Sequence, residues 1–246
     1  MEKHGNGSIE SEDKVVDLRR CSLMEFERTV PKFHDCAIRS NIIRLRIEHE
    51  ESKGNKDAVK KLNKMLEDCS MKKAVIVVDM INDFMHPDGV LFLGDKATAD
   101  SLVNALSEYL DKAREEGSQV IYVCDNHRKD DKEFRLFGEH AVEGTWGSEI
   151  IEELTPVKGD IVIPKTRYSA FYGTNLPYAL TSREPEKVVV TGVCTTICVM
   201  DTAQGVSYRG YDLVVPENLC ADLSPEAHKA GLERMKIIYG ADISPV

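Results

Sequence analysis

Long apolar runs are missing from this sequence of 246 residues, since no stretch approaches the ~20 residues that a membrane-spanning helix requires. A basic excess is missing too, because 32 lysines and arginines are outnumbered by 42 aspartates and glutamates, and this argues against nucleic acid as a main partner. The first residues lack the apolar core of a signal peptide. Seven cysteines, an odd number at irregular spacing, do not form the pattern of a disulfide framework. We therefore expect a cytoplasmic protein whose partner is neither a membrane nor a nucleic acid.

Residues 1–72 are mostly polar and dense in charge, unlike the rest of the chain. Apolar residues recur there at three- and four-residue spacing, which predicts amphipathic helices with breaks at Pro31 and near Gly54; they are Leu23, Phe26, Val30, Phe33, Val59, Leu62 and Leu66. No group of residues in this stretch carries an evident chemistry. We interpret it as a helical N-terminal extension that packs on the main domain or on another subunit.

From residue 73 to residue 246 the sequence alternates strand and helix patterns. Apolar runs predict strands over 74–78, 119–124, 160–164, 187–192 and 212–216. Helical patterns lie between and after them, over 98–116, 148–154, 174–181, 195–208 and 225–237. Regular alternation of this kind predicts a three-layer α/β/α domain with a doubly wound, mainly parallel sheet.

Reactive side chains follow the predicted strands at their carboxyl ends. Asp79 follows the first strand, Asp125 and His127 follow the second, and Lys165 follows the third. Cys194 and Cys198 follow the fourth. Because ligands of such sheets bind at the carboxyl ends of the strands, we expect these groups to meet at one edge of the sheet.

A cysteine, a carboxylate and a lysine at one edge suit acyl transfer. Cys198 alone could be a small buried apolar residue, as cysteines often are. However, it falls in the first turn of a predicted helix, where the helix dipole and Lys165 are expected to lower the pKa of the thiol. In this hypothesis Asp79 takes the thiol proton, Cys198 attacks a carbonyl, and backbone N–H groups near Cys194 and Cys198 stabilise the oxyanion.

The segment CDNHRKDDKEFRLFGEH contains residues of the types that bind metals, namely Asp125, His127, Glu133 and His140. Two carboxylates and two imidazoles suit Zn²⁺, Mn²⁺ or Fe²⁺. Charged loops also hold such residues by chance, and Asp130 and Asp131 are alternative carboxylate ligands.

From Ala74 to the C-terminus the chain resembles the isochorismatase-like cysteine hydrolases, and within them the nicotinamidases. The likeness lies in VVDMINDF (77–84), DNH (125–127), EFRLFGEHAVEGTWG (133–147), KTRYSAFYGT (165–174) and TGVCTTICVMDTA (191–203). It implies that Asp79, Lys165 and Cys198 form a catalytic triad. It also implies a cis peptide bond between Val193 and Cys194 that shapes the oxyanion hole.

The nicotinamidase branch of the family has one divalent metal beside the triad, and the resemblance assigns Asp125, His127, His140 and Glu133 to that metal. Zn²⁺ is the expected ion, with Mn²⁺ or Fe²⁺ as alternatives. Phe84 and Tyr168 match the positions that pack against the substrate ring. Relatives commonly assemble, so a homo-oligomer is expected.

The resemblance therefore predicts hydrolysis of nicotinamide to nicotinate and ammonia through a thioester on Cys198. One alternative keeps the cysteine chemistry but changes the substrate to a ureido acid, a lactam or another small amide. A second alternative belongs to another class: a non-catalytic interaction protein in which residues 1–72 are the binding element.

Overall fold

The computed structural model describes residues 8–11, 14–18, 21–30, 36–67, 73–182 and 185–246. The chain divides into two compact units, one of residues 1–71 with 181–184 and the other of residues 72–180 with 185–246. None of the helices in these ranges is long and apolar enough to cross a membrane.

The first unit contains a β-hairpin and three helices. Strands β1 (Ser8–Ser11) and β2 (Lys14–Asp17) pair antiparallel. They are followed by α1 (Leu23–Thr29), α2 (Cys36–Ser52) and α3 (Lys56–Glu67). The predicted helices around Phe26 and Leu62 are thus present, and the predicted break near Gly54 separates α2 from α3. The hairpin was not predicted, and the break at Pro31 lies outside the described residues.

The second unit contains a five-stranded parallel sheet. Its strands are β3 (Lys73–Val78), β4 (Gln119–Asp125), β5 (Ile161–Lys165), β6 (Lys187–Gly192) and β7 (Asp212–Val214), in the order β5-β4-β3-β6-β7. Its helices are α4 (Asn82–Met85), α5 (Lys96–Glu115), α6 (Phe134–Phe137), α7 (Leu176–Thr181), α8 (Met200–Ser207) and α9 (Pro225–Tyr239). The predicted fold class is confirmed.

Helices cover both faces of this sheet, which gives three layers. Alternate residues of β3 belong to two different apolar cores, because successive side chains of a strand point to opposite faces. Val75 and Val77 pack in one core with residues of α5, such as Leu106. Ile76 and Val78 pack in the other core with residues of α7, α8 and α9.

The strand order reverses between β3 and β6, and this is where a doubly wound sheet opens a crevice. Gly192, the last residue of β6, has φ +102°, and a Cβ there would lie 2.0 Å from the carbonyl oxygen of Val78. Glycine is therefore required for the two strand ends to approach this closely. As a result Asp79, after β3, lies next to Val193, whose N–H donates to Val78 O at 3.1 Å.

Two predicted helices differ from the structure. The segment 148–154 is not a helix but contains 3₁₀ turns at Trp146–Ser148 and Glu152–Leu154. Its backbone is bonded to another segment, since Asn82 N–H donates to Glu149 O at 3.0 Å and Ile151 N–H donates to Met80 O at 3.1 Å. The predicted helix over 195–208 begins as a π-helical turn, Thr195–Val199, before α8.

Candidate active site

Asp79, Lys165 and Cys198 are buried together at the carboxyl edge of the sheet. Lys165, the last residue of β5, places Nζ 2.8 Å from Asp79 Oδ2 and 3.5 Å from Cys198 Sγ. Asp79 has φ +54° and accepts the N–H of Asp125 on Oδ1 at 2.7 Å. Asp125, at the end of β4, also receives Lys165 Nζ at 2.6 Å. The predicted trio is therefore within contact distance, and Lys165 bridges two carboxylates and the thiol.

Burial decides the protonation of this trio. It raises the pKa of Asp79 to about 6, together with the neighbouring carboxylate of Asp125 and against the opposing effect of Lys165. Burial also raises the pKa of the Cys198 thiol well above its ordinary value, and Lys165 offsets this only in part. The expectation that the pKa of Cys198 is lowered was wrong, because the loss of water around Sγ outweighs one cation. At neutral pH the thiol keeps its proton, and Asp79 is ionised and can accept it.

The turn Thr195–Val199 carries Cys198, and the residue before it, Cys194, has an unused backbone donor. The peptide bond between Val193 and Cys194 is cis. Thr195 N–H donates to Ala221 O, and the N–H groups of Ile197 and Val199 donate to Cys194 O. Within the described ranges, the N–H group of Cys194 has no acceptor in the protein. It is a donor of the kind that an oxyanion hole needs, and that role for Val193 and Cys194 stays a prediction.

A cavity of about 270 Å³ opens onto Cys198. The predicted ring-packing residues Phe84 and Tyr168 both line it. Its other apolar walls are Val90, Leu91, Phe92, Phe137, Val193, Cys194, Ile197 and Leu223. The remaining lining is polar and comes from Asp79, Asp125, Glu133 and His140, so in the described part of the chain the lining contains no lysine or arginine. The acidic lining disfavours an anionic ligand, and the aromatic walls suit a small, flat molecule.

Asp125, His127 and His140 converge beside the triad. Each offers one donor atom, and the three atoms lie within 4.8 Å of one another. The backbone brings the two histidines together, because His127 N–H donates to Ala141 O and Glu143 N–H donates to His127 O, both at 2.8 Å. His127 Nε2 is buried and has no hydrogen-bond partner among the described residues. A buried nitrogen without a partner, beside a second imidazole and a carboxylate, fits a divalent metal such as Zn²⁺.

His127 and His140 make hydrogen bonds through Nδ1, which leaves the Nε2 atom of each ring available to a metal. His127 Nδ1 lies 3.2 Å from Asp131 Oδ2, and His140 Nδ1 lies 2.8 Å from Gly138 O. Such contacts orient metal-binding histidines in many proteins. Asp131 is in turn held by Arg167, whose guanidinium lies 3.0 Å away. Asp131, one of the alternative ligands, therefore contacts a proposed ligand instead of joining the group of three.

Glu133 lies outside that group of three, and Asp130 is exposed. The Glu133 carboxylate lines the cavity and is 3.7 Å from the guanidinium of Arg167. Its assignment as a metal ligand stays a prediction.

Two buried acids at the site were not found from the sequence. Asp83 accepts the N–H of Ala141 at 2.7 Å and that of Val90 at 3.3 Å, so it joins the loop of His140 to the cavity wall. Asp222 accepts from the turn that carries Cys198. Asp83 lies in the recognised segment VVDMINDF, which was a usable signal, whereas Asp222 lies outside every such segment.

A family model for the isochorismatase domain matches residues 73–244. The chain belongs to the isochorismatase family. Three crystal structures each match 71% of the chain. N-carbamoylsarcosine amidase from Thermoplasma acidophilum is 37% identical, with a TM-score of 0.64 over 96% of that chain. Nicotinamidase PncA from Bacillus subtilis is 34% identical, with a TM-score of 0.66 over 99% of that chain.

The third structure is a pyrazinamidase of Pyrococcus horikoshii in complex with zinc. It is 29% identical to this chain, with a TM-score of 0.66 over 99% of that chain. The isochorismatase-family chain is thus a hydrolase with relatives that act on small amides.

Proposed function

We propose that this isochorismatase-family hydrolase is a metal-dependent nicotinamidase, which converts nicotinamide and water into nicotinate and ammonia through a thioester on Cys198. The observation that carries the proposal is one cavity that has Cys198 and Asp79 on its wall, the Asp125–His127–His140 group beside them, and no cationic lining residue in the described ranges.

The charge of the cavity favours nicotinamide over the ureido acids on which relatives such as N-carbamoylsarcosine amidase act. A ureido acid carries a carboxylate, and binding it usually requires an arginine or a lysine. Lys165 is paired with Asp79 and Asp125 and is not available for this purpose. Nicotinamide is neutral and flat, and the aromatic side chains Phe84 and Tyr168 offer surfaces for its ring.

In the first half of the reaction Asp79 accepts the proton of the Cys198 thiol as Sγ attacks the amide carbon. The N–H groups of Cys194 and Cys198 bind the oxygen that becomes negative. Asp79 then gives the proton to the departing nitrogen, so that the C–N bond breaks, ammonia leaves, and a thioester on Sγ remains. Lys165 stays charged, because two adjacent carboxylates raise its pKa against the effect of burial.

In the second half a water molecule attacks the thioester carbon, and Asp79 takes a proton from that water. The C–S bond breaks, nicotinate is released in its acid form, and Sγ recovers a proton from Asp79. Asp79 thus acts as base and acid in turn, for which its pKa of about 6 is suited near neutral pH.

Asp125, His127 and His140 would hold the divalent ion, with Glu133 as a proposed further ligand. When bound, the ion supplies a Lewis acid for the ring nitrogen of the substrate. Zn²⁺ is the proposed ion, and Mn²⁺ and Fe²⁺ suit the same donor set.

An ammonia-release assay tests the substrate. Zinc-loaded protein should turn over nicotinamide, while N-carbamoylsarcosine and ureidoacrylate should react at least tenfold more slowly in kcat/KM. Turnover of the ureido acids without turnover of nicotinamide would instead support the related amide hydrolase. If no amide is turned over, and if Cys198→Ala keeps the full biological activity of the protein, the result would support the hypothesis of a non-catalytic interaction protein.

Removal of the metal tests the group Asp125–His127–His140. Dialysis against a chelator should abolish nicotinamide turnover, and addition of Zn²⁺, Mn²⁺ or Fe²⁺ in separate samples should identify the ion that restores it. Turnover that survives complete removal of metal would contradict the proposal for this group. We also retain a homo-oligomer in the cytoplasm as a prediction, which light scattering after size-exclusion chromatography and localisation of the tagged chain would check.

A further inference from the structure

We propose that Asp222 is a positioning residue that clamps the turn Thr195–Val199 and thereby holds the N–H groups of Cys194 and Cys198 ready for the substrate oxygen. The inference deepens the proposed function and rests on it, because it assumes that Cys198 is acylated.

The carboxylate of Asp222 is buried and accepts three hydrogen bonds from protein groups. Oδ2 receives the backbone N–H of Thr196 at 2.6 Å and its hydroxyl at 2.7 Å. Oδ1 receives the N–H of Leu223 at 2.8 Å. A buried carboxylate is costly without such partners, so both of its oxygens are committed to fixed backbone positions. Asp222 therefore joins the turn of the nucleophile to a segment that follows β7.

The backbone on either side of Asp222 strengthens this connection. Thr195 N–H and its hydroxyl both donate to Ala221 O, at 2.9 and 3.0 Å. Ala221 N–H donates to Gly192 O at 3.3 Å. The segment Ala221–Leu223 is thus bonded to the chain before the cis peptide bond and to the chain after it.

Helix α9 closes the other side of the same turn. A Cβ on Gly231 would lie 2.9 Å from Thr196 Cγ2 and 3.1 Å from Thr195 Cγ2. The turn therefore lies between α9 and the Asp222 segment. The two residues whose N–H groups are clamped, Thr195 and Thr196, lie between Cys194, whose N–H group has no acceptor in the described ranges, and Cys198. A carboxylate that fixes the middle of this turn therefore fixes the direction of the N–H groups of Cys194 and Cys198.

Loss of the clamp should slow a reaction of Cys198 that forms an oxyanion and should leave unchanged a reaction of Cys198 that forms none. p-Nitrophenyl acetate acylates a thiol through a tetrahedral oxyanion: the S–C bond forms, p-nitrophenolate leaves, and the thiol proton goes to the base. Iodoacetamide alkylates a thiol by direct displacement of iodide, with no oxyanion. The ratio of these two rate constants at Cys198, measured at one pH and assigned by peptide mass spectrometry, reports on the donors and requires no knowledge of the natural substrate.

In Asp222→Ala the full-length, metal-loaded protein should lose about 10- to 100-fold in this acylation-to-alkylation ratio, because a small displacement of oxyanion donors has effects of this size. With nicotinamide, kcat should fall and KM should change little. Thr196→Val, which removes the hydroxyl but keeps the backbone donor, should have a smaller effect. If Asp222→Ala does not fold, Asp222→Asn replaces it and should lower the ratio by a smaller factor, since its amide group can satisfy only part of the donors.

Asp160 offers a matched control at the opposite end of the sheet. Its side chain is also buried, and it accepts the N–H of Val157 at 3.0 Å and the guanidinium of Arg114 at 2.8 Å. Asp160→Ala should lower thermal stability by an amount comparable to Asp222→Ala and leave the ratio unchanged. A ratio that Asp222→Ala leaves unchanged, or equal losses in acylation and alkylation, would overturn the inference. Absence of nicotinamide turnover in the wild-type protein, with the ratio still lowered by Asp222→Ala, would overturn only the proposed substrate.

Discussion

His127 presents one ring nitrogen to a buried carboxylate and keeps the other without a protein partner in the described ranges. A hydrogen bond from Nδ1–H to Asp131 selects the tautomer whose Nε2 carries the lone pair. Arg167 and the N–H of Glu133 hold Asp131 in turn. The proposed binding of a metal by His127 therefore depends on Asp131, which is not itself in the group Asp125–His127–His140.

Asp131→Asn should weaken zinc binding about 10- to 100-fold, because the amide no longer selects the tautomer of His127. The measurement is the dissociation constant for Zn²⁺, obtained by competition with a chromogenic chelator. Asp130→Asn is the control, since this neighbouring carboxylate is exposed and lies 3.7 Å from the exposed Arg128. Equal affinities in the two variants would exclude this function of Asp131.

In a pH profile, kcat/KM for nicotinamide should fall on the acid side with a midpoint near pH 6, because of Asp79. Burial raises its pKa from 3.8 to about 6 in the folded protein, so its base form is lost as the pH falls through that value. A pH profile from 4.5 to 8 checks this, and the residual activity of Asp79→Asn should lack the fall. A midpoint that Asp79→Asn leaves in place would assign the fall to another group.

At the scale of elements, strands β3 and β6 are parallel neighbours in the sheet, although they are not consecutive in the chain. β3 supplies the position of Asp79, and β6 leads into the turn of Cys198. Their pairing ends at Val78 and Gly192, where the backbones come too close for any side chain on residue 192. The separation between Asp79 and Cys198, the proposed base and nucleophile, is thus determined by the contact of two strand ends.

Gly192→Ala should lower the free energy of unfolding by about 3–5 kcal/mol, since it adds both a steric clash and backbone strain. Gly159→Ala is a close control, because Gly159 has a similar φ of +110° but open space where a Cβ would be. It should cost about 1–2 kcal/mol from the backbone alone. Urea unfolding of both variants measures the difference, and equal losses would show that the close approach to Val78 contributes nothing.

At the scale of the whole molecule, the described residues that line the cavity at Cys198 all belong to one compact unit. The other unit has a core of its own, built around Phe26, Ile43 and Leu62. Within that core Arg46 pairs with Glu50 at 2.9 Å and donates to Leu18 O and Cys21 O. That residues 1–72 form a helical N-terminal extension, whose role is unknown, stays a prediction.

Arg46→Met should destabilise the N-terminal unit by about 3 kcal/mol, because it removes the ion pair of the buried Glu50 and leaves that carboxylate with the neutral amide of Asn55. Hydrogen exchange of peptides from α1, α2 and α3 should become faster, while kcat for nicotinamide stays unchanged. Lys61→Met, which breaks an exposed pair with Glu27 at 3.9 Å, should leave exchange unaltered. A loss of kcat in Arg46→Met would show that catalysis depends on this unit.

Local patterns determined the parallel sheet and the edge at which Asp79, Asp125, Lys165 and Cys198 meet. Continuous apolar runs mark buried strands, and the carboxyl ends of parallel strands share one edge whatever their order. The helix expected over 148–154 failed for a tertiary reason, since hydrogen bonds to residues 80–82 compete with those of a helix.

Only the tertiary structure decided what surrounds the reactive groups. Burial, which depends on the whole domain, raises the pKa of Cys198 where sequence position indicated the opposite. Asp131 proved to contact His127, and Asp222 reaches Thr196 from 26 residues away. The sequence thus predicted which groups meet at one edge of the sheet, whereas packing determined their protonation and the residues that hold them, because desolvation and long-range hydrogen bonds have no signature in local spacing.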